Sequence, residues 1–257
     1  MPATTPALQV DGLGVRYGAL VALDGVGWEV HPGELLGIIG PNGAGKSTCY
    51  EATTNLVPRQ GTVHLAGQDV SAVPAHGLAA LGLKRAFQQN AFFEDLSVRD
   101  NLVAVLGSRA HAGLAGSVFR PLAAARRRAA AQDFAAQQLQ RFGIPAAYHG
   151  LRPKETPYGV QRMLSIALAF GDGAKVLLLD EPAAGLGGDD MERLVQLLLQ
   201  LKRDGVALVV IEHHMDLIMA VADRICVLDL GQRLAYGTPA EVQRNPLVLE
   251  AYLGKAA

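Results

Sequence analysis

Gly40-Pro41-Asn42-Gly43-Ala44-Gly45-Lys46-Ser47 fits the pattern GxxxxGK[ST], and Thr48 follows it. A glycine-rich turn lets successive backbone N–H groups converge on phosphate oxygens, and the helix that begins there adds an oriented positive dipole. Lys46 can reach the β and γ phosphates of a nucleotide, and the Ser47 hydroxyl can ligate Mg²⁺. A second pair of chemical groups is Asp180-Glu181, which closes the apolar run 176–179. A carboxylate at the end of a buried parallel strand lies where ligands bind, and there Asp180 can hold a water on Mg²⁺. Glu181 can polarise an attacking water. Alone, an acidic pair after a strand reads as a helix cap; beside a phosphate loop it reads as functional.

These groups need elements to hold them. The compact run Leu35–Ile39 before the loop and a helical pattern over 46–55 after it supply the required strand–loop–helix context. Loose alternation at Leu8, Val10, Val15 and Tyr17, then at Val26, Trp28 and Val30, suits short antiparallel strands. Residues 61–69 read as a further strand pair, and 73–87 as a short helix and a strand. Helical spacing covers 95–105 and Pro121–Arg141, with a glycine-rich loop at 111–117 between them. Strand patterns return at 175–180, 206–211, 225–230 and 232–236, with helices at 191–203 and 215–222 between them and at 238–243 and 246–253 after them. Alternating strands and helices predict an α/β fold with a mostly parallel sheet. The expected division is a catalytic core with a β subdomain over 1–88 and 172–257, and an inserted helical subdomain over 89–171.

Composition narrows the function. The 257 residues carry 23 basic and 24 acidic side chains, a formal net charge of -1, and 50% are hydrophobic. That balance excludes disorder as the main state and gives no general attraction to nucleic acid. Arg126-Arg127-Arg128 reads as a solvated helix face, and Arg109 and Arg120 as ordinary surface charge. A mean hydropathy of +0.20 is high for a solitary soluble chain and points to a partner. The apolar stretches fall short of the ~18–20 residues a spanning helix needs, no secretion signal is visible, and Cys49 and Cys226 read as packed thiols. A cytosolic setting is expected.

The ordered motifs resemble the ATP-binding cassette ATPases over nearly the whole chain. The resemblance implies a P-loop NTPase fold of that type, with ATP and Mg²⁺ as ligands. It implies that Tyr17 stacks on adenine, that Gln88 in Phe87-Gln88 senses Mg²⁺ and the γ-phosphate and couples to a membrane subunit, and that His213 contacts the γ-phosphate. It further implies that Pro157, Tyr158, Gly159, Val160 and Gln161 form the signature segment facing another subunit's ATP, and that 184–188 is the loop crossing a dimer interface. Local stretches resemble the longer ATPase of the branched-chain, or hydrophobic, amino acid importer branch. They are 83–88, 92–101, 181–186, 211–215 and 251–254.

The implied assembly has a second ATPase subunit, two membrane permeases and a periplasmic or extracellular solute-binding protein. This chain would sit peripherally on the cytoplasmic face of the inner membrane. Related branches take urea or short amides. A soluble ATPase on nucleic acid or ribosomes would want a second cassette, a coiled coil or a basic arm. A weakly hydrolysing regulatory module is the remaining alternative, suggested by departures from the family pattern. Thr156-Pro157 stands where Leu-Ser is usual, Ser165 and Leu168 stand where Glu and Arg are usual, and Gly187-Gly188 stands where Asn-Pro or a related pair is usual. Pro157 brings neither hydroxyl nor N–H, and the paired glycines leave φ unset.

Overall fold

The computed structural model describes residues 5–86, 92–107 and 121–253, which divide into two compact units. The first comprises Met1–Gln88, Ala174–Ala184 and Leu194–Ala257; the second comprises Gln89–Gly173 and Gly185–Arg193.

Two sheets build the first unit. β1 (Leu8–Tyr17) pairs antiparallel with β2 (Leu20–Val30) and with β4 (Gln60–Leu65), and β5 (Gln68–Asp69) closes the order β2-β1-β4-β5. The alternation along β1 is loose because its register with β2 shifts between Val10 and Leu13 and again further on. Such bulges interrupt a strict two-residue period. The second sheet has the order β10-β9-β3-β8-β7-β6. β3 (Leu35–Ile39), β6 (Leu83–Ala86), β7 (Val176–Asp180), β8 (Ala207–Ile211) and β9 (Arg224–Asp229) run parallel, and only β10 (Gln232–Gly237) is antiparallel. Every residue of β3 and β8 is buried, as strands covered on both faces require.

Helix α1 (Lys46–Thr53) follows the phosphate loop, and α2 (Ala75–Leu81) precedes β6. α1 stops two residues before the sequence pattern suggests. Asn55 takes φ 56°, and its amide donates to the Val70 and Val73 carbonyls at 2.9 and 2.7 Å. Cys49 and Cys226 are buried free thiols. Burial pushes Cys49 up to about 11, which leaves it an inert packing group.

The second unit is helical, with α3 (Val98–Gly107), α4 (Pro121–Arg141) and α5 (Tyr158–Phe170). Ser97 caps α3, its hydroxyl accepting from the Asp100 N–H at 3.0 Å, so the helix starts three residues after Asp95. Phe142 and Phe170 pack with ring centroids 5.5 Å apart. Helix α6 (Gly188–Arg203) begins three residues earlier than its apolar pattern, because Asp189 and Asp190 occupy its first turn, with Lys202 and Arg203 in its last. Those charges oppose the helix dipole at both ends. α7 (Met215–Val221), α8 (Pro239–Gln243) and α9 (Pro246–Leu253) complete the chain. Among the described residues no helix is long and apolar enough to cross a membrane. The 111–117 loop, Arg109 and Arg120 lie outside the described residues, as do the side chains of Arg126-Arg127-Arg128.

Candidate active site

The loop between β3 and α1 needs glycine for two physical reasons. Gly40, Gly43 and Gly45 take φ 152°, 80° and 96°, where side-chain-bearing residues are strained. Space is also closed: a Cβ on Gly40 would lie 2.1 Å from the Leu228 carbonyl oxygen, and one on Gly45 2.7 Å from that of Ala22. The Lys46 ammonium donates to the Gly40 and Pro41 carbonyls at 2.7 and 3.0 Å. Burial draws its pKa below the usual lysine value, against an opposing pull from Glu181 and Asp180. A half-buried cation beside the first turn of a helix suits a polyphosphate. Ser47 is exposed and Asp180 half-buried, and both offer the hard oxygens that Mg²⁺ prefers.

Topology brings the distant carboxylates to this loop. β8 lies between β3 and β7, with Ile211 level with Ile38 on one side and Asp180 on the other. The carboxyl ends of three parallel strands therefore open together, at the position where such sheets bind ligands. Glu181 holds φ 46°, a left-handed conformation that costs a non-glycine residue of order 1–3 kcal/mol. Its N–H donates to the Ile211 carbonyl at 2.8 Å. His213 Nδ1 stands 3.6 Å from Glu181 Oε1, beyond a hydrogen bond but within reach of a protonated imidazole. His213 is half exposed, whereas Glu212 beside it is fully buried.

A cavity of about 600 Å³ lies over the loop. Tyr17 forms part of its wall, as do Asn42, Gly43, Ala44, Lys46, Ser47, Thr48 and Glu181. Pattern reading alone overlooks two other walls, Leu20 from the start of β2 and Leu230-Gly231 from the β9–β10 turn. Leu20 and Leu230 are 65% and 84% exposed, an apolar rim unlike the buried sheet beneath. The Gly231 N–H donates to Ala44 O at 3.1 Å and its carbonyl accepts from the Asp24 N–H at 2.9 Å, tying the turn to both loop and β2. A hairpin between two strand patterns signals such a turn, but gives no hint of what it leans on.

Pro157, Tyr158, Gly159, Val160 and Gln161 belong to the second unit, at the start of α5. Pro157 is the N-cap and makes no side-chain cap bond. Gln161 instead ties the entry down, its N–H donating to Pro157 O at 3.1 Å and its amide to Thr156 O at 2.9 Å. A Cβ on Gly159 would fall 2.2 Å from the Asp190 carboxyl carbon, and one on Gly185 3.0 Å from the Tyr158 ring. Residues 158–159 and the 185–190 stretch thus pack on each other. Gly188 adopts φ 48°, which a proline cannot take; the glycine pair follows a path that Asn-Pro could not. Gln88 lies outside the described residues.

Comparison with known proteins agrees with this architecture. The family model for ABC transporters matches residues 23–184, and that for branched-chain amino acid ATP-binding cassette transporters matches residues 232–257. The chain is 36% identical over 253 residues to the high-affinity branched-chain amino acid transport ATP-binding protein LivG of Escherichia coli strain K12, covering 98% of this chain and 99% of LivG. Identity is 34% over the same span to BraF of Pseudomonas aeruginosa, which has the same description. It is 35% over 249 residues to the fructose import ATP-binding protein FrcA of Rhizobium meliloti, covering 96% of this chain and 94% of FrcA. A solved ATP-binding cassette of an ABC transporter matches with a TM-score of 0.83 at 25% identity, over 98% of this chain and 100% of that one. The chain belongs to the ABC transporter family and is an ATPase subunit with the P-loop fold of that family.

Proposed function

We propose that ATP hydrolysis by this chain energises the import of branched-chain or other hydrophobic amino acids. The observation that carries this reading is the near-complete match to LivG, reinforced by the separate branched-chain family match over residues 232–257. The working assembly in this reading has a second ATPase, two permeases and a solute-binding protein. The chain, a single ATPase domain over 1–257, lies against the cytoplasmic face of the membrane.

Within that assembly we assign roles residue by residue. Tyr17 stacks on the base. Backbone N–H groups from Gly40 to Thr48 and the Lys46 ammonium hold the phosphates. Ser47, Gln88 and Asp180 would hold Mg²⁺, Asp180 by way of a water. A bound Mg²⁺ supplies charge neutralisation on the separating phosphates. Glu181 accepts a proton from the attacking water, and His213 orients the γ-phosphate. Pro157 to Gln161 face the ATP of the partner subunit. ATP contacts available only in the closed dimer bias the pair toward closure, and loss of the γ-phosphate releases it.

The solute is tested by reconstituting the chain with its permeases and binding protein in liposomes loaded with ATP. ATP-dependent leucine uptake is the expected result. The comparable identity to FrcA makes a sugar the competing solute, and fructose uptake without leucine uptake overturns the assignment.

A further inference from the structure

Glu212 has no role in the chemistry assigned above, yet its side chain is fully buried just past the end of β8, beside His213. Burying a carboxylate is costly unless its oxygens find donors. Here they find three. Oε1 accepts from the Ala183 N–H at 2.7 Å, and Oε2 from the His213 and His214 N–H groups at 3.0 and 3.2 Å. One side chain therefore joins the backbone just after Glu181 to the backbone that carries His213. Glu212, His213 and His214 also place potential ligand atoms within 4.8 Å of one another. The Glu212 oxygens are already committed to these N–H groups, which points to a structural clamp and not to a metal ligand.

What the clamp holds is a strained turn. Glu181 sits at φ 46°, and such a conformation persists only when its surroundings over-determine it. On the N-terminal side the Glu181 N–H is fixed to Ile211 O, and on the C-terminal side the Ala184 N–H returns to Glu181 O at 3.1 Å. A further restraint is the Ala183 N–H on Glu212. The Glu212 N–H is itself fixed to Ile38 O at 3.3 Å, at the end of the strand that enters the phosphate loop. We propose that Glu212 is a positioning residue for hydrolysis, setting the separation of Glu181 and His213 and their height above the phosphate loop. This rests on the roles proposed above for Glu181 and His213.

The test is Glu212→Gln in the full chain. Glutamine keeps the size but turns one acceptor into an NH₂ group facing backbone N–H donors. Steady-state ATPase activity and ATP affinity by calorimetry are measured together. Turnover is expected to fall about 10- to 100-fold, the cost of displacing a catalytic group by roughly 1 Å. ATP affinity is expected to stay within about twofold, as for sites that share no contact. In a Glu181→Gln background the same change should alter turnover by no more than about twofold, because the Glu181–His213 separation it sets no longer limits turnover once the base is lost. Equal losses in both backgrounds, or unchanged turnover in the single variant, overturn the proposal. If Glu181→Gln alone leaves turnover intact, the assignment of Glu181 fails first, and the two failures are told apart. Should Glu212→Gln not fold, Glu212→Asp withdraws both oxygens by one methylene and must show the same selective loss. Failure of both variants to fold makes Glu212 a stability residue and also overturns the proposal.

Discussion

The two stretches that carry family motifs are constructed differently. Around 40–48, 180–183 and 211–214, each segment leaves the carboxyl end of a buried parallel strand, with Lys46 and Ser47 opening the helix that follows the first, and Gly40, Gly43, Gly45 and Glu181 all have positive φ. Around 156–161 and 185–190, the corresponding positions are the starts of α5 and α6, the second entered through a short loop in which Gly185 and Gly188 also have positive φ. There the usual serine is a proline, and a Gly159 Cβ would strike an aspartate carboxylate. Of the departures from the family pattern named above, Thr156-Pro157 and Gly187-Gly188 fall in the second stretch, Ser165 and Leu168 further along α5, and none in the first. The comparison teaches that a site made of backbone geometry at strand ends has little freedom to vary. Moving Gly40 or Glu181 would break sheet contacts as well as chemistry, whereas a helix N-terminus still presents its first N–H groups whatever side chain caps it.

The sharpest way to break this contrast is Lys46→Ala. Removing a charge partner from a desolvated phosphate site should weaken ATP binding by about 2–5 kcal/mol, read by calorimetry. Unchanged affinity would mean that the phosphate lies elsewhere. Glu181→Gln comes next. It keeps shape but removes the base, so ATP should still bind while turnover drops by ~10²-fold or more; wild-type turnover in the complete complex would sink the assignment.

The second stretch is sharpened by Pro157→Ser, which restores a hydroxyl and an N–H at the start of α5. A charge-assisted hydrogen bond contributes about 1.5–3 kcal/mol. ATP-driven association with the partner ATPase should therefore tighten roughly tenfold or more, measured by analytical ultracentrifugation with hydrolysis blocked. The same deficit implies unequal sites. If the partner has serine at the matching position, disabling Glu181 should cost the complex more turnover than disabling the partner's catalytic glutamate, and equal costs would remove the asymmetry. The smallest effect is that of Gly188→Ala. At φ 48° an alanine costs about 1–2 kcal/mol, visible in urea unfolding, with no change in ATP affinity. A stabilised protein would show that the loop takes another path.

The phosphate loop, Asp180-Glu181 and the alternating α/β order are legible in the chain because each depends on neighbours in sequence. A glycine in a tight turn, a lysine at a helix start and an acid at the end of an apolar run all carry their reason within a few residues. The amphipathic run from residue 191 is equally local, and the helix starts earlier, at Gly188, because its first turn is acidic and carries no apolar signal. Tyr17 and His213 stand out only through family resemblance, since a lone aromatic on a strand or a lone histidine after one otherwise reads as an ordinary packed residue.

Strand order, by contrast, was decided only by tertiary structure. Nothing within residues 35–39 or 176–180 states that 207–211 lies between them, because that pairing is a contest among long-range hydrogen bonds and burial. From it follow the 3.6 Å approach of His213 to Glu181, the cover that Leu20 and the Leu230-Gly231 turn give the phosphate loop, and the reach of Glu212 across to the Ala183 N–H. In the sequence Glu212 is one more acid after an apolar strand. Its three donors are set by the fold, since two come from residues that follow it directly and the third from a segment 29 residues away.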